Sequence, residues 1–311
     1  MNAYRKKLFF ADAANGFQHA FTLLELLIVI GLIGLLTFVA VPAFNGFGQA
    51  NTLAAAQRQI QDDLALARQL AIKNRVPVYM VFFSPDADSP DQLGVNSPGK
   101  LSDIHNALLG LPASEFKVRS LRVFTNVFAG QHVSYAFYTE SKVGDQPIVL
   151  PQDGSIDLSR SRYLTLGGSI WRTLPDGIVF APGLRFRLKE YFAVSLTNKP
   201  VPFPLVPSPG DLTLSQAQTL QLHLPAIAYD ALGRSMRMDK DGRITAQLQD
   251  QFVSLGIGSV FIPHDPVETN HFDFSKLADV VETPRENYTN SIYRINGLTG
   301  RARRFVWGTS L

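Results

Sequence analysis

The chain contains no cysteine among its 311 residues, and this absence removes several classes of chemistry at once. Disulfides, thiol nucleophiles, thiolate zinc sites and iron–sulfur clusters are all excluded. Charged residues are sparse at 18%, and the formal net charge is only +3. Residues 1–20 carry +2 of that total, through three basic side chains and one acidic side chain. Any basic surface in the rest of the chain must therefore be local.

Motifs with a catalytic mechanism are also lacking. The sequence has no Gly-x-Ser-x-Gly nucleophile elbow and no His-Glu-x-x-His zinc helix. Gly256 and Gly258 lack the third glycine and the following helix of a dinucleotide-binding fingerprint. We therefore expect a protein that is not an enzyme and that uses no cofactor.

Four side chains with metal-binding chemistry lie close together in the sequence: His264, Asp265, His271 and Asp273. Their spacing matches no metal motif with a defined mechanism. Pro263 and Pro266 indicate that the four residues belong to a loop. We expect no metal site here, and a divalent-metal site is the alternative interpretation.

A long apolar run dominates the N-terminal segment. Residues Phe21–Phe44 read FTLLELLIVIGLIGLLTFVAVPAF, and no charge occurs over Leu26–Val41. As a helix this run is about 36 Å long, more than the roughly 30 Å of a hydrocarbon core. Basic residues precede it, so the positive-inside rule places residues 1–20 in the cytoplasm. The sequence thus predicts that residues 21–44 form the transmembrane half of a long helix.

Glu25 is the one charged residue inside this run. A charge in the centre of a membrane helix costs about 2.5–3.5 kcal/mol on insertion scales. Either Glu25 reaches the headgroups, or it pairs with a positive group at the same depth on a neighbouring chain.

The sequence Ala20-Phe21-Thr22-Leu23-Leu24-Glu25 resembles the class III signal of type IV pilins and type II secretion pseudopilins. The resemblance implies that a prepilin peptidase removes residues 1–20 as a leader peptide, cutting between Ala20 and Phe21, and methylates the new amine of Phe21. Glu25 and Pro42 then stand at two of the family's characteristic positions. In the family, this glutamate neutralises the N-terminal amine of the next subunit during filament assembly. The family usually has glycine where this chain has Ala20.

Two alternatives remain for the N-terminal segment. Val41-Pro42-Ala43 is a candidate signal-peptidase site, and cleavage there would release a soluble secreted protein. The other alternative is an unrelated single-pass anchor. The apolar run is longer than the usual core of about 7–15 residues in a signal peptide, and it contains Glu25, so the pilin-like interpretation is favoured.

Residues 45–76 are predicted to form an amphipathic spine helix. Its apolar residues recur at spacings of three and four: Leu53, Ala56, Ile60, Leu64, Ala67 and Ala71. This spacing is one stripe of a helix, which we expect to pack on a sheet. Pro77 disfavours helical geometry at Val76, so the helix should end near Asn74.

Residues 77–311 are predicted to form a periplasmic, β-rich globular domain with insertions near 84–115 and 199–215. Alternation and β-branched content predict the following strands: Val78–Phe83, Phe116–Phe128, His132–Thr139, Ile178–Phe180, Leu184–Leu196, Leu220–Tyr229, Phe252–Phe261, Ser291–Ile295 and Ala302–Trp307. Asp241-Gly242 predicts a hairpin turn. The predicted fold class is therefore α+β, with a long N-terminal transmembrane and spine helix packed on a mainly antiparallel sheet.

Four further segments are similar to the H-type minor pseudopilin and its type IV pilus counterpart: 64–81, 174–180, 228–234 and 298–303. The resemblance implies a minor pseudopilin, a structural subunit of a type II secretion pseudopilus or type IV pilus-like filament. It also implies a single-pass location in the bacterial inner membrane, with a cytoplasmic N-terminus. The implied partners are prepilin peptidase, other pseudopilin or pilin subunits, inner-membrane lipid and secreted cargo.

Arg301, Arg303 and Arg304 form a basic cluster near the C-terminus. Gly300-Arg301-Ala302-Arg303 is similar to a short motif in the DNA-binding minor pilin of some natural-transformation systems. Such arginines would contact phosphates without reading sequence. The alternative is an edge strand whose arginines face water and deter aggregation, and this is the interpretation we favour.

Overall fold

The computed structural model of the chain describes residues 22–84, 99–139, 162–164, 169–181, 197–202, 221–238, 244–246, 250–267, 271–284 and 291–305. Over these residues the helices are α1 (Leu23–Asn74), α2 (Gly99–Leu109) and α3 (Glu115–Ala129). The strands are β1 (Val78–Phe82), β2 (Ser134–Thr139), β3 (Arg162–Leu164), β4 (Trp171–Thr173), β5 (Ile178–Phe180), β6 (Thr197–Pro202), β7 (Gln221–Tyr229), β8 (Ser235–Met238), β9 (Ile244–Ala246), β10 (Gln251–Phe261), β11 (Asp279–Glu282), β12 (Ile292–Ile295) and β13 (Ala302–Phe305).

The chain divides into two compact units, Met1–Gly48 and Gln49–Leu311, and helix α1 belongs to both. In the part of the chain that the structure describes, no helix combines the length and the apolar character needed to cross a membrane. The predicted transmembrane half at 21–44 is therefore wrong, and so is the predicted single-pass localisation in the inner membrane.

The strands of the second unit form two sheets, and every pairing is antiparallel. The larger sheet has the order β3-β2-β1-β7-β8-β9, with β4 also pairing with β2 and β6 with β7. The smaller sheet has the order β11-β10-β12-β13, and β5 pairs with β10. The described part of the chain is thus an α+β structure.

Strand β1 lies in the middle of the larger sheet, and all five of its residues are buried. Successive side chains of a strand point to opposite faces. Val78, Met80 and Phe82 belong to one hydrophobic cluster, whereas Tyr79 and Val81 belong to another. Both faces of the sheet are therefore covered.

The spine part of α1 covers the first face. The predicted stripe is confirmed, because Ala56, Ile60, Leu64, Ala67 and Ala71 are all at most 1% exposed. Their cluster includes residues from both sheets. The helix ends at Asn74, as predicted.

Helices α2 and α3 cover the second face, and here the sequence analysis was wrong. Phe116–Phe128 was predicted as a strand and is part of α3. Aromatic and β-branched residues favour strands, but the buried residues of this segment follow a helical period: Ser120, Phe124, Val127 and Phe128. The hydroxyl of Ser114 accepts a hydrogen bond from the backbone N–H of Lys117 at 3.2 Å and caps the helix.

Several predicted features lie outside the described residues. They are the leader 1–20, the strand Leu184–Leu196, the turn Asp241-Gly242, and the parts 85–98 and 203–215 of the two insertions. Strands β8 and β9 on either side of the turn do pair antiparallel, with Met238 opposite Ile244.

Candidate functional site

Helix α1 begins with a reciprocal hydrogen-bonded cap that involves the predicted assembly residue Glu25. The Glu25 carboxylate accepts hydrogen bonds from the backbone N–H and from the hydroxyl of Thr22, both at 3.0 Å. The N–H of Glu25 donates back to the Thr22 hydroxyl at 3.2 Å. This arrangement is a capping box, which satisfies otherwise unpaired N–H groups at the helix start.

The same contacts favour the ionised form of Glu25. Hydrogen bonds from the backbone and side chain of Thr22 lower the pKa of this carboxyl, because they favour its ionised form. Glu25 also lies in the first turn, where the helix dipole favours a negative charge. The first turn of α1 therefore presents a fixed, exposed carboxylate.

The turns that follow expose apolar side chains in every direction. Eleven large hydrophobic residues of Leu23–Leu36 are exposed, from 46% for Val29 to 83% for Leu23. The remaining members are Glu25, Gly31 and Gly34, and a Cβ at either glycine would meet nothing within 4 Å. A helix that is apolar all round is normally covered by other structure. This surface, which we call the apolar collar (Leu23–Leu36), is the candidate site.

The other predicted processing and assembly residues are only partly placed. Ala20 and Phe21 lie outside the described residues. Pro42 falls within α1, so the helix continues past it as the family resemblance requires.

In the second unit, a buried polar group connects the spine helix to the larger sheet. Asp63 on α1 is 3% exposed, accepts a hydrogen bond from the Tyr135 hydroxyl, and lies 3.0 Å from Nε of Arg172. Gln59 Nε2 donates to the Tyr135 hydroxyl at 2.8 Å and to the carbonyl of Thr173 at 2.9 Å. Burial raises the pKa of Asp63, whereas the Tyr135 hydrogen bond and the Arg172 guanidinium lower it. These contacts join α1 to strands β2 and β4.

A second connection joins α1 to two turns of the domain. Nε of Arg68 donates to the carbonyls of Gly233 and Thr299, each at 3.0 Å. Gly300 lies against Gly233, and a Cβ on it would approach the Gly233 carbonyl oxygen to 2.2 Å. Arg68 therefore attaches the spine helix to two turns that pack closely against each other.

The three C-terminal arginines lie at the edge of the smaller sheet. Arg301 precedes β13, Arg303 and Arg304 lie on it, and all three are exposed. Arg303 is opposite Arg294, which is bound to Asp250. Burial raises the pKa of Tyr293, and Arg304, which lies opposite it, offsets part of this rise. This is the geometry of a water-facing edge strand, and it also leaves the guanidinium groups accessible.

The His264–Asp273 segment holds its acidic groups in local contacts. Asp273 pairs with Lys276 at 2.8 Å and accepts a hydrogen bond from the N–H of Ser275 at 3.0 Å. The contacts with Lys276 and Ser275 lower the pKa of Asp273 to about 2. Nδ1 of His264 lies 2.9 Å from the carbonyl of Ile262. Within the described ranges, no three potential ligands converge on a metal position.

Two functional features were missed by sequence reasoning. The capping box had a clear signal, since Thr22-Leu23-Leu24-Glu25 is the pattern of a capping box before an apolar run. The Asp63 group had none, because its members come from three elements, α1, β2 and β4, whose meeting no local pattern encodes. Comparisons with protein-family models, curated proteins and solved structures gave no significant match to this chain.

Proposed function

We propose that the chain is a minor pseudopilin-like structural subunit of a type II secretion pseudopilus or type IV pilus-like filament. A prepilin peptidase cuts between Ala20 and Phe21 and methylates the new amine. The apolar collar then packs against the collars of neighbouring subunits, and Glu25 neutralises the Phe21 amine of one of them. The observation that carries this proposal is the apolar collar itself, exposed on all sides and led by a single carboxylate.

Two physical arguments support helix-to-helix packing as the role of the collar. Covering a leucine, isoleucine or valine side chain contributes about 1.5–3 kcal/mol, so the eleven exposed residues provide a strong drive for association. The carboxylate of Glu25 is already ionised and oriented by Thr22, so a cationic amine adds a charge-assisted contact without first moving the glutamate. The spine part of the same helix packs on both sheets, so α1 would link the globular domain to the filament.

The processing step is tested by mass spectrometry of the mature protein. The expected N-terminus is Phe21 carrying one methyl group. A chain that begins at any other residue contradicts the proposal.

The packing step is tested with introduced cysteines, which report cleanly because the chain has none of its own. Leu24→Cys and Ile28→Cys, made together, should give disulfide-linked multimers in cells that make the filament. Glu25→Gln added to this pair should reduce the multimers strongly. The matched control is Asp62→Asn, which removes an exposed carboxylate on the same helix outside the collar. Equal cross-linking with and without Glu25→Gln would contradict the role given to Glu25.

A second candidate function, DNA capture, draws on the exposure of Arg301, Arg303 and Arg304 at a sheet edge. Exposed arginines that contact phosphates give binding that weakens steeply with salt. This candidate and the structural role predict opposite outcomes in a DNA-binding assay.

A further inference from the structure

A cleft of about 700 Å³ opens in the second unit. Its walls come from the end of α3, from β4, from the turn before β5 and from the far end of β10. Its size is that of an ordinary ligand-binding cavity. Nothing in the proposed filament role uses it.

One wall of the cleft is an unpaired strand edge. The N–H of Gly258 donates to Gly177 on the β5 side of β10, whereas the carbonyl of Ile257 accepts from Thr283 on the β11 side. Neighbouring residues of a strand direct their backbone groups to opposite edges, so the N–H and C=O of Val260 face the β5 side. Strand β5 pairs only with Leu255–Ile257, so it does not extend as far as Val260. Among the described residues, the backbone of Val260 therefore has no strand partner on this edge.

Trp171 on β4 also lines the cleft. Its ring packs against Phe83 and Tyr163, with ring centroids 5.5 and 6.0 Å apart. The indole therefore has a fixed position in the wall and reports on an occupant of the cleft.

The charge of the residues that line the cleft indicates which kind of occupant fits. Of the lining residues that the structure describes, Asp176 is the only charged one, and it is exposed. The other residues are apolar or carry neutral polar groups, such as Asn126 and Ser259. A cationic side chain beside apolar ones therefore complements this cleft, and an anionic occupant does not.

We propose that the cleft binds an extended segment of a partner polypeptide, which adds as a strand to the Val260 edge of β10. Its backbone pairs with the N–H and C=O of Val260, and a lysine or arginine reaches Asp176. Strand addition of this kind takes its affinity from main-chain hydrogen bonds and its selectivity from side-chain pockets. The cleft would thus recognise a basic, apolar strand.

The test uses the full-length chain with ¹⁵N-labelled tryptophan and an acetylated, amidated octapeptide of alternating valine and threonine with one central lysine. The protein has two tryptophans, so Trp171→Phe assigns the Trp171 indole signal by its disappearance. We expect the peptide to shift the Trp171 signal. Absence of a Trp171 shift at millimolar peptide would overturn the proposal.

Two matched comparisons separate strand addition from other binding. The same peptide with alternate amides N-methylated cannot pair along a strand edge, and Val260→Pro removes the edge donor without touching the β11 side. Val260→Pro should weaken binding about two- to tenfold, the loss of a hydrogen bond. Asp176→Asn should weaken it about two- to fivefold, an effect that salt also produces. Equal binding of the N-methylated peptide would overturn strand addition, and equal binding of a peptide with glutamate in place of lysine would overturn the role of Asp176.

Discussion

The hydroxyl of Tyr135 on β2 donates a hydrogen bond to the buried carboxylate of Asp63 on α1. It thereby joins the spine helix to the larger sheet. Tyr135→Phe removes this donor and the acceptor used by Gln59, and it leaves Asp63 with Arg172 alone. We expect a loss of about 1–3 kcal/mol in the free energy of unfolding, measured by denaturant titration.

The coupling between the two residues is measured by a double-mutant cycle. Asp63→Asn and Tyr135→Phe made together should cost less than the sum of the single changes, because each single change leaves a buried group unpaired. Strict additivity would show that the contact adds nothing to stability.

A pH-dependent loss of stability is expected from His132. This residue is buried, its Nδ1 lies 3.0 Å from the Ser84 hydroxyl, and burial lowers its pKa from 6.5 to about 4. Between those values the unfolded chain binds the proton more readily than the folded chain. The stability contributed by neutral His132 is therefore present above about pH 6.5 and is lost as the pH falls toward 4, by about 3 kcal/mol.

The measurement compares the free energy of unfolding near pH 7 with that near pH 4.5. His132→Asn is the control, since asparagine tolerates the positive φ of 60° at this position and does not titrate. The variant should lose less stability than the wild type over this range. An identical pH dependence would exclude His132 as the cause.

The contact between Gly300 and Gly233 predicts a strong effect of a single methyl group. At Gly300, φ is +64° and a Cβ would lie 2.2 Å from a backbone oxygen, so Gly300→Ala should cost more than about 2 kcal/mol. Gly177 is the matched control: φ is +78° there, but a Cβ meets nothing within 4 Å. Gly177→Ala should cost only about 1 kcal/mol. Similar losses in both variants would show that close packing at Gly300 is not the reason for its glycine.

The exposed arginines are tested by a gel shift with duplex DNA and the full-length chain. We expect equally weak DNA binding by the wild type and by a variant with Arg301, Arg303 and Arg304 changed to alanine. The reason is that charges on an edge strand deter aggregation and need not bind a ligand. Salt-sensitive binding that disappears in the triple variant would favour DNA capture instead.

The sequence predicted best where a local pattern was strong. The α1 stripe, its end at Asn74 and strands such as β7 and β10 follow from periodicity and from Pro77, all local signals. It failed at α3, where β-branched and aromatic content favoured a strand and packing against the sheet stabilised a helix. It also failed for the membrane span, which hydropathy of residues 21–44 predicted and the structure contradicts.

The amino-acid sequence by itself determined the absence of thiol chemistry, the capping box at Thr22 and Glu25, and the apolar collar, since each depends on residues within a few turns of one another. Only the tertiary structure decided that α1 lies against two sheets, that Asp63 meets Tyr135 and Arg172, and that Trp171 and Val260 line the same cleft. These contacts join residues far apart in the chain. Their formation depends on how whole elements pack together, which no local pattern encodes.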